Sequence, residues 1–294
     1  MLWQRVLTAV VGIPLTLAVV YAGGWWLVAA IALLTILALR EFYHLVSSSA
    51  ARASAPPPPS ALAAARACGY ILAVVIPAAA MPGQAMSLPH FAVGIAGLSH
   101  FALAIAVLLA LASRAGRSPR FTPYLGIPTA ALLLPPLFTC LLHLRLLEGE
   151  PLAGLGVPLP PGACWLFLVF AACWAGDSAA YGVGRAWGRH KLWPAVSPGK
   201  TIEGSLGGLV AAVVVVAAFG RLFGLELYFA AVLGLLLSVA GQLGDLAESK
   251  LKRWAGVKDS GSMLPGHGGV LDRFDSLLFS APVAYCYLRF VVGL

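Results

Sequence analysis

A chain of 294 residues that is 60% hydrophobic and only 10% charged has too few polar side chains to coat a water-facing surface, since soluble domains carry about 25% charge. That excludes a soluble globular enzyme and assigns an integral membrane protein, in which lipid accepts apolar side chains outward. The net charge of +8 has no nucleic-acid-binding module behind it, so nucleic acid is not an expected partner. The charge reads instead as membrane topology with some attraction to anionic head groups.

In chain order, the N-terminal run MLWQRVLTAVVGIPLTLAVVYAGG carries one Arg and an apolar stretch, as a signal peptide does. No convincing cleavage site separates it from the next apolar run, so it reads as a retained first span. A spanning helix needs about 20 apolar residues. Nine stretches are predicted to cross, at 6–22, 24–39, 67–83, 91–111, 124–144, 163–183, 204–220, 227–246 and 275–293. The second is short, and Pro77 and Pro82 interrupt the third. Residues 47–60, SSSAARASAPPPPS, form a Ser/Ala/Pro connector of polyproline character. The fold class expected is therefore all-α, a polytopic membrane protein with polar loops on the cytosolic side. The five cysteines all fall in apolar stretches without a CxxC pair and read as buried thiols.

Nine spans with an inner N-terminus put all but Arg145, Arg221 and Arg289 of the 19 Lys and Arg residues inside, which is the asymmetry that sets orientation. The acids are uneven too. Of 11, eight lie between Asp177 and Asp275, and the first 140 residues hold only Glu41. The chain thus divides into N-terminal scaffold helices over 1–160 and a C-terminal catalytic region over 161–294, with no separate soluble domain.

The first polar block is DSAAYGVGRAWGRHKLWPAVSPGKTIEGSLGG, residues 177–208. Asp177 lies near the inner end of the sixth span, where an ionisable group faces a cavity or an ion-pair partner such as Arg185 or Arg189. In Ser197-Pro198-Gly199-Lys200-Thr201-Ile202-Glu203-Gly204, Ser197 or Thr201 is placed to cap the seventh span, with Glu203 in its first turn. The same Gly-Lys-Thr segment at a helix N-terminus is also a phosphate site in outline. It is not a Walker A loop, because that motif's first glycine is missing.

The second block, GDLAESKLKRWAGVKDSGSMLPGHGGVLDRFDS, covers 244–276. Asp245, Glu248, Ser249 and Lys252 recur at helical spacing and share a face if the eighth helix continues inward. Lys258-Asp259, the glycine turn around His267, and Asp272-Arg273-Phe274-Asp275 follow. Asp275 is also positioned to be the N-cap of the ninth helix. Acids supply hard oxygen ligands for Mg²⁺, and Lys and Arg suit phosphate oxygens. Together they point to phosphoryl or nucleotidyl transfer on a lipid, with room for a second metal ion.

From Ser249 to Asp275 the chain reads S-K-L-K-R, four residues, then K-D-S-G-S-M-L-P-G-H-G-G-V-L-D-R-F-D. This pattern resembles the signature of the phosphatidate cytidylyltransferases, or CDP-diacylglycerol synthases, and the GDLAES and SPGKTIEG blocks are similar to that family's. The resemblance is sharp over 177–276 and is one of hydropathy alone before 160. It implies a bacterial inner-membrane enzyme that converts CTP and phosphatidate to CDP-diacylglycerol and pyrophosphate, uses Mg²⁺ and frequently forms a homodimer. It implies Asp245 and Asp272 as metal ligands, and Lys200, Lys252, Arg253, Lys258, Asp272 and Arg273 as catalytic. Ser197, Thr201, Glu203, Ser249, His267, Gly268 and Gly269 are expected at the substrates, with Asp177, Glu248, Asp259 and Asp275 as further candidates. One departure is Gly199, where the family usually has Lys. The rival readings are a CTP-dependent lipid kinase, which would transfer the γ-phosphate and release CDP, and a secondary transporter coupled through Asp177 and Asp245. Against the transporter, the charges cluster on one face of the membrane and no internal repeat is evident.

Overall fold

The computed structural model describes residues 2–50, 59–82, 123–148, 159–261, 263 and 268–294. Among these, the elements are α1 (Leu2–Ala22), α2 (Gly24–Ala50), α3 (Pro59–Ala79), α4 (Pro123–Arg145), α5 (Pro161–Trp187), β1 (Lys191–Trp193), β2 (Ser197–Thr201), α6 (Ile202–Leu222), α7 (Leu227–Ala255) and α8 (Leu271–Tyr287), followed by a π-helical turn over Leu288–Val292. Seven of the described helices are long and apolar enough to cross a membrane, and Val10–Ala22 is a shorter apolar helix. The protein is an all-helical, multi-pass membrane protein. Eight of the nine stretches expected from the sequence fall on helices; the fourth, 91–111, lies outside the described residues, as does 51–58 of the Pro-rich connector.

The boundaries differ for physical reasons. Helix α2 runs to Ala50 and α7 to Ala255, well past the apolar segments, because both extensions are held by burial, with Tyr43, Leu45 and Val46 of α2 and Leu251 and Ala255 of α7 withdrawn from solvent. Pro77 sits inside α3 without ending it, as membrane helices allow. Helix α8 begins at Leu271, so Asp275 lies in its second turn and is not its N-cap. One feature departs from an all-helical plan. Residues 191–201, where the sequence offered a helix cap at Ser197 or Thr201 and a phosphate segment at 199–201 but no strand, form a two-stranded antiparallel ribbon in the register Lys191↔Thr201 and Trp193↔Ser197. The turn closes with Val196 N donating to Trp193 O at 3.1 Å.

The chain packs as two compact units, Met1–Leu142 with Ala247–Phe274, and His143–Leu246 with Asp275–Leu294. In the first, Tyr43 meets Tyr70 edge-on with ring centroids 5.6 Å apart. Leu45 forms a buried cluster with Leu251 and Ala255, joined by Phe42, Trp254 and Val257. Helix α7 ends there in a complete Schellman motif. Val257 N donates to Lys252 O at 3.0 Å and Gly256 N to Arg253 O at 3.1 Å. Gly256, at φ 69°, takes the left-handed position that side-chain-bearing residues avoid.

In the second unit α5 and α6 cross closely along Gly176, Ala180 and Gly184 on one side and Gly204, Gly208 and Ala212 on the other. A Cβ added at Gly208 would stand 2.7 Å from Gly176 O and 3.1 Å from the Ala180 methyl, and one at Gly204 would stand 2.7 Å from Ala180 O. Lipid offers no hydrophobic drive between helices, so small residues that let backbones approach hold such a seam. The opposite row of α6, Leu206, Val210 and Val214, is exposed and faces lipid. Gly208→Ala is expected to destabilise the protein by about 1–3 kcal/mol through overpacking. Thermal unfolding in detergent checks it, and an unchanged midpoint would mean the seam opens without cost.

Candidate active site

Each unit carries one polar cluster. In the second unit, β2 delivers Lys200 and Thr201 to the start of α6. Thr201 is the N-cap; its hydroxyl accepts from Gly204 N at 3.1 Å, as its sequence position predicts. Lys200 Nζ pairs with the Asp245 carboxylate on α7. A cavity of about 450 Å³ opens beside them, lined by Asp177, Ser197, Lys200, Thr201 and Asp245 among others, with apolar walls from Ala172, Ala212 and Leu237. Sequence reasoning missed five further polar residues on this lining, Tyr181, Ser205, Ser238, Gln242 and Ser276. Gln242 is tied down by donating to Ser205 O and Ser238 Oγ, both at 3.1 Å. An amide within an apolar run was the available signal. Arg185, weighed as an ion-pair partner for Asp177, donates to Tyr181 Oη at 3.0 Å.

Glu203 lies in the first turn of α6, as its sequence position predicts. Its carboxylate accepts from Arg189 N at 3.1 Å and His190 N at 3.2 Å, and meets His190 Nδ1 at 2.6 Å. It anchors the exit of α5 to the first turn of α6, where a negative charge also favours the helix dipole.

In the first unit, the C-terminal end of α7 continues as a helix through Glu248, Ser249 and Lys252, so these three keep the helical spacing expected of them, while Asp245, expected on the same face, belongs to the second unit. Lys252 Nζ lies between two carboxylates, pairing with Glu248 Oε2 and with Asp272 Oδ1, the latter at 2.6 Å. All three side chains are largely withdrawn from solvent, with Glu248 and Asp272 each 7% exposed. The other Asp272 oxygen, Oδ2, accepts from Ser260 N at 2.9 Å, Ser260 Oγ at 2.9 Å and Gly269 N at 2.8 Å. Gly268 must stay small here: a Cβ on it would stand 2.7 Å from Asp272 Oδ2, and its φ is +83°.

The acid that the sequence left to the scaffold also enters this cluster. Glu41 on α2, 6% exposed, accepts from Val270 N and Leu271 N at 2.9 Å each and meets Ser260 Oγ at 3.1 Å. The signal for it was present, because a lone carboxylate within an apolar span needs a buried partner.

Arg253, Lys258, Asp259 and Arg273 are exposed, and Arg253 donates to Val257 O at 3.3 Å. Asp275 Oδ1 accepts from Ser276 N at 2.6 Å. Ser249 is half-buried on α7, and His267 lies outside the described residues.

The two clusters were tested as sites for a metal ion. Among the described residues no group of three or more His, Cys, Asp or Glu side chains forms a closed cage. Mg²⁺ does not need one, since it is held by one or two carboxylates together with waters and substrate phosphates. An ammonium group already meets the Asp245 carboxylate, and another meets Glu248 and Asp272 together. Hard oxygens that converge on a cation in this way fit a divalent ion.

Matching to known families agrees with this chemistry. The model of the Cytidylyltransferase family matches residues 3–291. The chain is similar to a phosphatidate cytidylyltransferase of Bacillus subtilis (strain 168), 50% identical over 129 residues, which are 43% of this chain and 48% of the relative. It is similar to one of Staphylococcus haemolyticus (strain JCSC1435), 49% identical over 124 residues, 42% of this chain and 48% of the relative. The matched stretch thus spans about half the length of those curated relatives. A family match over nearly the whole chain, on membrane helices that carry paired lysines and carboxylates, establishes that the chain belongs to the cytidylyltransferase family.

Proposed function

We propose that this protein is a phosphatidate cytidylyltransferase: it transfers CMP from CTP to phosphatidate, giving CDP-diacylglycerol and pyrophosphate. The observation that supports this reading is the cavity of the second unit, whose lining combines Lys200 and the carboxylates of Asp177 and Asp245 with apolar residues such as Ala172, Ala212 and Leu237. A nucleotide triphosphate needs cations and hard-oxygen metal ligands, and a lipid needs apolar walls.

In the proposed reaction an oxygen of the phosphatidate phosphate attacks the α-phosphorus of CTP. The bond from that phosphorus to the bridging oxygen breaks, and pyrophosphate leaves with the electron pair. A phosphate monoester loses its second proton near pH 6, at about the value for phosphorylated side chains, so no strong general base is required. The protein's task is then to position two anions and to stabilise charge. Lys200 serves the phosphates from β2, with Ser197 and Thr201 orienting them. Lys252, Arg253, Lys258 and Arg273 provide positive charge in the other unit. Mg²⁺, held by Asp245 with Asp177 and by Asp272 with Glu248, would neutralise phosphate charge and polarise the phosphoryl oxygens. The enzyme works in a bacterial inner membrane with its N-terminus and polar loops in the cytosol, where CTP is found, and as a homodimer.

Gly199 has open space around the position of a Cβ. Gly199→Lys is therefore expected to fit and to lower the KM for CTP about threefold by adding a cation worth roughly 0.5–1 kcal/mol at an exposed site. Steady-state kinetics at varied CTP measures it, and a raised KM would place Gly199 away from the phosphates.

Product analysis tests the reading as a whole. Purified protein supplied with phosphatidate, CTP and Mg²⁺ should form CDP-diacylglycerol and pyrophosphate in equal amounts by mass spectrometry and phosphate analysis. Release of CDP with a phosphorylated lipid alcohol would assign a CTP-dependent lipid kinase instead.

A further inference from the structure

We propose that Glu41 is a positioning residue for the transfer reaction, acting from α2 through the start of α8 to hold Asp272 against Lys252. The inference rests on the proposed cytidylyl transfer and adds a residue some 200 positions upstream of the signature block.

The N-terminus of a helix leaves four backbone N–H groups without partners inside the helix. Two backbone donors at the start of α8, Val270 N just before the helix and Leu271 N of its first residue, are taken by the two oxygens of the Glu41 carboxylate, Oε1 and Oε2 respectively, at 2.9 Å each. A side chain from another helix thus supplies the cap that a residue next to α8 would ordinarily supply. The next residue in the chain is Asp272. Its orientation follows from the capped turn, since Gly269 N and Ser260 N both point at Asp272 Oδ2.

Ser260 links the two carboxylates directly. Its hydroxyl oxygen lies 3.1 Å from Glu41 Oε2 and 2.9 Å from Asp272 Oδ2. Two of the signature's glycines also answer to Glu41. A Cβ on Gly261 would stand 2.8 Å from Glu41 Oε1, and one on Gly269 would overlap both Ser260 Oγ and Glu41 Oε2. Glycine at these positions leaves room for a carboxylate that the motif itself does not contain.

Both Glu41 oxygens act as acceptors from backbone donors, so an amide cannot replace the carboxylate. Glu41→Gln must turn its NH₂ group toward Val270 N or Leu271 N, donor against donor. Hydrogen bonds to a charged group, and buried groups left unpaired, carry effects of about 10- to 100-fold.

The test compares wild type, Glu41→Gln, Ser260→Ala and the double variant in detergent, using kcat and KM for CTP, thermal unfolding, and hydrogen exchange of the peptide over 268–275. Expected in Glu41→Gln are a kcat lower by about 10- to 100-fold, a KM for CTP within about threefold of wild type, and faster exchange confined to that peptide. Ser260→Ala should lose kcat less, and the double variant should fall no further than Glu41→Gln alone, because both act on Asp272. If Glu41→Gln does not fold, Ser260→Ala decides by the same split between kcat and KM. An active wild type with an unchanged kcat in a folded Glu41→Gln overturns the proposal alone. So do strictly multiplicative losses in the double variant. A wild type without cytidylyl transfer overturns this proposal together with the functional reading.

Discussion

Asp272→Ala is expected to lower cytidylyl transfer by about 10³-fold, the largest effect of any single substitution in the protein. The side chain does two jobs at once. Oδ2 gathers three donors from Ser260 and Gly269, and Oδ1 meets the Lys252 ammonium at 2.6 Å. Alanine leaves those donors without their acceptor and leaves Lys252 with Glu248 alone. Breaking a buried pair from one side costs about 3–5 kcal/mol, so part of the loss is stability. Asp272→Asn separates the parts. It keeps the volume and one acceptor oxygen but removes the charge that Lys252, and a metal ion in its place, would require. The asparagine variant should remain folded by thermal unfolding while its kcat/KM stays at least about 100-fold below wild type. Near wild-type turnover in either variant would make Asp272 a structural staple only.

Lys200→Ala should cost about 100-fold or more in kcat/KM for CTP, with KM raised and the fold retained. Lys200 sits on the edge of a two-stranded ribbon rather than in a packed core, so its loss removes charge without opening a cavity. It also releases Asp245 from its ion pair, leaving a carboxylate in the cavity where a triphosphate must come. Lys200→Arg should recover part of the loss, because it restores the charge with a different shape. Steady-state kinetics at varied CTP reads this directly; wild-type values of kcat and KM in Lys200→Ala would take β2 out of the site.

What could be read from the sequence follows from the range of the forces involved. Membrane spans were legible because each depends on its own 20-residue apolar run, and eight of the nine stretches lie on described helices. The Thr201 cap and the helical spacing of Glu248, Ser249 and Lys252 on α7 were legible for the same reason: both are set within a turn or two of chain. The ribbon over 191–201 was not, since Pro198 and Gly199 disfavour a strand and what stabilises it is pairing between residues up to ten apart, Lys191 with Thr201 and Trp193 with Ser197. Glu203 was legible as an acid in the first turn of α6, but its partners at Arg189 and His190 were not, since they lie more than ten residues back along the chain. Glu41 was the plainest omission. Its partners at 260, 270 and 271 are so far along the chain that no local pattern contains them. Only the cost of a lone carboxylate in an apolar helix pointed to it.

The most direct measurement follows the label from CTP. Purified protein would be given phosphatidate and Mg²⁺ with CTP labelled on either the α- or the γ-phosphate. Cytidylyl transfer predicts α-label in the chloroform-soluble lipid and γ-label in released pyrophosphate. Lipid carrying the γ-label, with the α-label remaining in CDP, would contradict the account and assign a kinase.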